Sequence, residues 1–242
     1  MKLRFHSVLA AVVLSVIAST GAAEEGKIPF PPAKTIEEIQ QPKMAPVAPE
    51  PIGPGRYRIG EIVLDKTDRS VTFPATINMN EGLLEYLLVG ASGKTHESLL
   101  RTHVEPYALQ VACLLVGLEG TSTPLSFQGD PRVPKGDGID ISIRVQGGDS
   151  SKAVKPEKWL LHTVGDAKQP VSKVRWIFTG SMVNSGRFAA QMTGSIVALY
   201  HDPAAMVDNA SPGGENDKVW FVRSETTPPV GTPVVVTFRS KK

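Results

Sequence analysis

Apolar and polar residues alternate most cleanly near the middle of the chain, where Ile139, Ile141, Ile143 and Val145 are separated by Asp140, Ser142 and Arg144. A period of two sends successive side chains to opposite faces, so this stretch predicts a half-buried strand. The same period runs through Val71, Phe73, Ala75 and Ile77, with Thr72, Pro74 and Thr76 between them. Pro74 has no N–H to give, which predicts an edge or a bulge at that point. Tyr57 to Leu64 reads as a first strand, turned by Asp65-Lys66-Thr67-Asp68. Leu83 to Val89 is nearly all apolar apart from Glu85, as a central strand would be. Val174–Phe178, Ser195–Tyr200, Val219–Arg223 and Val234–Phe238 add four more, with turns such as Asn184-Ser185-Gly186 between them.

One segment has a different texture. From Tyr107 to Leu118 ten of twelve residues are apolar, Gln110 and Gly117 being the exceptions. Pro106 suits the first turn of a helix, where its missing N–H costs nothing. A helix apolar nearly all round is expected to be buried, and Gly117 or Gly120 to end it. The predicted fold is therefore mainly β (α+β): a curved antiparallel sheet or sandwich of about eight strands packed on one buried helix at 105–118.

The first residues change the picture from fold to destination. Lys2 and Arg4 precede an apolar run from Val8 to Ala18 broken only by Ser15, and small residues Ser19 to Ala23 follow, with Glu24 and Glu25 next. This is the pattern of a secretory signal cleaved after Ala23, and it predicts an exported protein, periplasmic or extracellular. The run is about half as long as a membrane-crossing helix requires, so no membrane span is expected once the signal is gone. Residues 24–54 carry eight prolines, from Pro29 to Pro54, which predicts an extended, disordered arm. The organisation expected is thus a signal peptide at 1–23, a proline-rich arm at 24–54 and a single β-rich domain at 55–242.

Charge and cysteine usage narrow the partners. The chain has 26 Lys and Arg against 24 Asp and Glu. Residues 1–23 hold two of the bases and none of the acids, so the mature chain is electrically balanced. A protein that displaces phosphate counterions needs an excess of cations on one face, and nucleic acid is rejected as a partner. A single cysteine forms no intramolecular disulfide, and Cys113 among Leu109, Val111, Leu114 and Leu115 reads as a small buried hydrophobe.

Two stretches carry a family resemblance. Val71-Thr72-Phe73-Pro74-Ala75 leads through Asn78 and Gly82 to Leu84-Glu85-Tyr86-Leu87-Leu88-Val89, then to Gly93-Lys94-Thr95-His96-Glu97-Ser98. Farther on lie Gly194-Ser195-Ile196-Val197-Ala198-Leu199-Tyr200-His201-Asp202-Pro203 and Asp208-Asn209. Together these resemble the YdjY family of bacterial exported domains over most of residues 56–242, and the resemblance implies location and fold more than chemistry. Some relatives carry a ferredoxin-like label, which implies an iron–sulfur cluster. Such a cluster needs about four cysteine ligands and this chain has one, so no iron–sulfur cluster is expected.

Candidate chemistry is sparse. Lys94, His96, Glu97 and Ser98 form the most suggestive polar group. His96 and Glu97 with His201 and Asp202 would supply a zinc-type or calcium ligand set if the two segments met in space. Gly90-x-x-Gly93-Lys94-Thr95 lacks the first glycine of a phosphate loop, and Pro106 delays the helix too far for its amides to converge. No nucleophile elbow surrounds Ser98. Trp159, Trp176 and Trp220 would stack on sugars if exposed. The expectation is an exported cell-envelope binding or structural module without a cofactor, whose partner is an envelope or extracellular protein or a glycan. The alternative is a metal-binding protein or metal-dependent enzyme built on the Lys94-His96-Glu97 block.

Overall fold

The computed structural model describes residues 48–147 and 152–242. The expected signal peptide and most of the proline-rich arm lie outside the described residues. The chain enters through a meander of antiparallel strands: β1 (Glu50–Gly53), β2 (Arg56–Ile59), β3 (Ile62–Asp65) and β4 (Ser70–Ile77). The end of the expected arm therefore includes a strand. Pro51 is tolerated in β1 because that strand is the free edge of its sheet. The single strand expected over Tyr57 to Leu64 is broken into β2 and β3 by Gly60, whose φ of 56° makes the turn.

Beyond the meander come β5 (Tyr86–Gly90), β6 (Ser98–Thr102), helix α1 (Pro106–Leu115) and β7 (Asp137–Val145). Then follow β8 (Leu160–Val164), β9 (Ala167–Pro170), β10 (Trp176–Phe178), β11 (Val183–Asn184) and β12 (Arg187–Phe188). The chain finishes with helix α2 (Ala189–Thr193), β13 (Ser195–Ala198), β14 (Val207–Asn209), β15 (Trp220–Val222) and β16 (Pro233–Ser240).

Eight of these strands close on themselves. The order β4-β16-β7-β10-β14-β13-β5-β6 returns to β4 through Thr76↔Arg101 and Ile77↔Leu100, which makes a barrel-like ring with β1–β3 extending from β4. The seam at β4 explains Pro74. On one side β4 pairs continuously with β16; on the other it pairs with β3 as far as Thr72 and with β6 only from Thr76. Pro74 lies in the gap between these partners, where a missing N–H leaves no ladder bond unmade. β8, β9 and β15 form a separate small sheet, and β11 and β12 a short hairpin.

The ring is mostly antiparallel, as expected, but β5 runs parallel to β6 and β13 parallel to β14. Its interior is filled by alternating residues such as Val71, Phe73, Ile77, Ile141, Ile143, Val236 and Phe238, all nearly or wholly inaccessible. Phe73 and Phe238 meet edge to face with centroids 5.1 Å apart. All three tryptophans are buried with this core. Cys113 is buried too, and burial pushes its thiol up, away from the reactive thiolate form.

Helix α1 stands where the apolar run predicts, in contact with β3 and β4. One face is buried through Pro106, Leu109, Ala112 and Cys113, whereas Leu114 on the other is 52% exposed. Burial is therefore a property of one face, because a ten-residue helix packed against strands from one side buries only the side that touches them. Two substitutions separate the faces. Leu109→Ala is expected to cost about 2–5 kcal/mol by opening a cavity. Leu114→Ala is expected to stay within about 0.5 kcal/mol of the parent. Urea unfolding of both variants measures the difference.

Candidate functional site

The two parallel pairs of the ring pose one covalent problem twice. β5 is joined to β6 by residues 91–97 and β13 to β14 by residues 199–206, whereas parallel neighbours ordinarily need about a dozen linking residues. So short a link carries no α-helix to satisfy its own N–H and C=O groups, and side chains take over that work. Both polar blocks singled out in the sequence are these links.

The first link is held by close backbone contact and by one ammonium. Gly90 N–H donates to Gly194 O at 2.7 Å, and Gly93 N–H to Gly90 O at 2.9 Å. A Cβ on Gly194 would lie 2.7 Å from Gly93 Cα, and Gly194 has a φ of 72°, so no other residue fits there without moving the link. The Lys94 ammonium Nζ lies 3.1 Å from Glu85 Oε2 and 3.2 Å from Glu97 Oε1. It also lies 3.5 Å from Gln128 Oε1 and 5.3 Å from the centre of the Tyr86 ring. Ser98 turns inward and donates to Leu100 O at 2.7 Å, fully buried. His96 points the other way, its side chain 78% exposed and its Nε2 3.7 Å from Glu97 Oε2.

In the second link and the strand that follows it, the buried side chains of His201, Asp202, Asp208 and Asn209 are spent on backbone groups or on Tyr86. The His201 ring is buried with Nδ1 2.6 Å from Asp130 O and Nε2 2.7 Å from Asn209 O. Carbonyl oxygens only accept, so a neutral ring serves one of them and a ring carrying both N–H groups serves both. Asp202 accepts from the Tyr86 hydroxyl at 2.8 Å and from Ala204 N–H at 2.9 Å. Asp208 accepts from the N–H groups of Asp202 at 3.1 Å and Asn209 at 2.7 Å. Asn209 donates to Leu199 O at 3.1 Å and accepts from Ser211 N–H at 2.8 Å. With no exposed surface, Asn209 is structural, although Asn209-Ala210-Ser211 spells a glycosylation sequon.

The two links converge on the segment that joins α1 to β7, residues 116–136, which has neither helix nor strand. Gln128 donates to Glu85 Oε2 at 3.1 Å and to the Tyr86 hydroxyl at 3.2 Å. Gly129 N–H donates to His201 O at 2.8 Å, and Asp130 O faces the His201 ring. The Arg132 guanidinium forks onto Asp130 and holds its carboxyl well below the usual carboxylate range. Leu125 is buried beneath, while Phe127 and Val133 stand 58% and 57% exposed.

The electrostatics follow from partial burial. Burial raises Glu85 above its ordinary value against the pull of Lys94, with the Glu97 carboxyl beside it adding to the rise. Burial opposes the charge on Lys94, but its bonds to Glu85 and Glu97 outweigh that, and the ammonium is held more firmly than in water. Burial and the neighbouring Asp202 both push the Tyr86 hydroxyl up, so it remains a donor. Burial pushes the Asp208 carboxyl up to about 7, against the influence of His201.

The structure thus brings Lys94 and Glu97 together but does not assemble His96, Glu97, His201 and Asp202 as ligands. The His201 nitrogens face carbonyls and His96 faces solvent. Among the described residues, no group of three or more His, Cys, Asp and Glu side chains is placed to hold a metal ion. His103 lies elsewhere, on a cleft of about 260 Å³ with Ser92, Glu105 and Gln191. Glu85, Tyr86, Gln128 and Asp130 are the members that sequence reasoning missed. Glu85 was legible as the one charge in an apolar strand, while Gln128 and Asp130 carry no local signal. No helix among the described residues is long and apolar enough to cross a membrane.

Residues 62–239 match the family described as the YdjY domain. No curated protein and no solved structure matches the chain.

Asp208 gives this cluster a measurable pH signature. Its folded carboxyl binds a proton more readily than the unfolded one, so its contribution to stability falls as pH rises from the ordinary carboxylate range through about 7. Urea midpoints across that range are expected to carry this downward component, and Asp208→Asn to remove it.

Proposed function

This chain belongs to the YdjY domain family, and from that premise we propose that it is an exported domain of the cell envelope that acts as a binding or structural module rather than as an enzyme. The observation that carries the reading is the bracing of residues 116–136. Connections of more than about a dozen residues without secondary structure are uncommon and usually functional. Here Glu85, Lys94, His201 and Asp202 are engaged with the backbone and with neighbouring side chains, and contacts from Glu85 and His201 hold Gln128, Gly129 and Asp130 in place. Phe127 and Val133 are then offered to solvent on a segment that is already ordered. A preorganised loop loses little conformational freedom on binding, so an exposed aromatic on it is an efficient anchor.

Export is supported by the basic, apolar and small-residue succession over residues 1–23. The lone cysteine suits a body held by its core without disulfides. The partner is an envelope or extracellular protein or a glycan. Trp159, Trp176 and Trp220 are all within 3% of full burial, which leaves Phe127 rather than a tryptophan to make contact.

Two measurements test this reading. Mass spectrometry of the protein from its native host is expected to find Glu24 as the first residue, and an intact Met1 in the cytosol would refute export. Phe127→Ser is expected to keep the parent's stability within about 0.5 kcal/mol and to weaken binding to isolated envelope fractions at least about tenfold. Reproducible turnover of any substrate in a hydrolase panel, lost in His96→Ala, would overturn the non-enzymatic reading.

A further inference from the structure

A primary ammonium has three N–H donors and no acceptor, and it is best held by three oxygen acceptors with an aromatic face nearby. The surroundings of the Lys94 Nζ supply that set: Glu85 Oε2 at 3.1 Å, Glu97 Oε1 at 3.2 Å, the more distant Gln128 Oε1 at 3.5 Å, and the Tyr86 ring with its centre 5.3 Å away. We propose that Glu85, Tyr86, Glu97 and Gln128 form a binding site for a primary ammonium group, which Lys94 fills from within the chain.

Three of the four walls, Glu85, Tyr86 and Gln128, have partners other than the lysine. Glu85 Oε2 receives the Gln128 amide at 3.1 Å, and Glu85 N–H donates to Glu97 O at 3.0 Å, tying the two carboxylate-bearing segments together. The Tyr86 hydroxyl is fixed by Asp202 at 2.8 Å, and Gln128 is further fixed by its bond to that hydroxyl at 3.2 Å. Lys94 differs from its hosts in exposure. Its side chain is 43% accessible, against 16% for Glu85 and 19% for Glu97. The occupant is therefore more accessible to solvent than the carboxylates that hold it.

Charge gives the site its appetite. Two carboxylates face one ammonium, and the exposed His96, 3.7 Å from Glu97 Oε2, is the other basic group beside them. With the Lys94 side chain removed, two partly buried carboxyls would face each other, and the site must take up a proton or a cation. The three-oxygen geometry selects a compact R–NH₃⁺ over a quaternary ammonium, which has no N–H to give. In the intact chain a tethered lysine competes with any external amine at high effective concentration, so the site is closed until that lysine is displaced or removed.

Thermal melting of Lys94→Ala with added salts tests the proposal. Methylammonium chloride is expected to raise its midpoint along a saturating curve, as a ligand bound only by the folded state does, with at least about tenfold tighter apparent binding than tetramethylammonium chloride or sodium chloride. The parent protein is expected not to respond, and Glu85→Gln in the Lys94→Ala background to abolish the response. The amide of Nα-acetyl-lysine separates the sources: a response equal to that of methylammonium shows that the site accepts a protein lysine side chain, and a weaker one restricts it to small free amines. Equal responses to all three salts, or none, would overturn the proposal. Should Lys94→Ala fail to fold, the parent protein still decides. In ¹⁵N-ammonium NMR the Lys94 Nζ protons are expected to exchange more slowly than those of exposed Lys135, and equal exchange rates would refute the caged geometry.

Discussion

The structure depends on a constraint of chain connectivity: two pairs of adjacent parallel strands must each be joined by a link that holds no α-helix. In most proteins a helix covers that passage and satisfies its own backbone. Here residues 91–97 and 199–206 pass without an α-helix, the first with only the single 3-10 turn Thr95–Glu97, so the cost of ordering them is met by side chains that bond to the backbone and to one another. Gly93 and Gly194 let the first link lie directly against the start of β13. His201, Asp202, Asp208 and Asn209 perform the equivalent task for the second by accepting or donating to backbone groups within it and beside it. The polar conspicuousness of these blocks has a structural origin.

That origin does not make them idle. Because Lys94 of one link and His201 of the other both bond to the same segment, the arrangement of residues 116–136 is tied to the two links at once. Tyr86 is the hinge of the arrangement, bonded to Asp202 of one link and to Gln128 of the segment, while its ring underlies the Lys94 ammonium of the other. Half-buried ion pairs of this kind add less net stability than their geometry suggests, since desolvation offsets much of the Coulomb gain. Their contribution here is specificity: they select one arrangement of a segment that buries few large apolar side chains of its own, Leu118 and Leu125 among them.

The apolar ring supplies the stability that this arrangement draws on. Its interior packs aromatic and branched residues from β4, β7 and β16 against one another, with α1 covering β3 and β4 on one buried face. With no disulfide available, the resistance of the protein to unfolding rests on that packing.

The division between what could be read in advance and what could not follows the range of the forces. Strands at Val71–Ile77, Ile139–Val145 and Val234–Phe238 and the helix at Pro106 were legible, because a period of two and a missing N–H are properties of neighbouring residues. Pro74, expected to mark an edge or a bulge, instead lies in an unbroken strand at a gap in its pairing on one side. The sequence also determined, by itself, that Cys113 has no partner within the chain. Ring closure, the parallel sense of β5/β6 and β13/β14, and the meeting of Lys94 with Gln128 or of His201 with Asp130 were decided only by the tertiary structure. The last two pairs are separated by 34 and 71 residues, and hydrogen bonds of a few ångströms between such positions leave no periodic trace along the chain. The same holds for His96, Glu97, His201 and Asp202, whose residue types suggested a shared ligand set: only the folded chain determines which way each of them points.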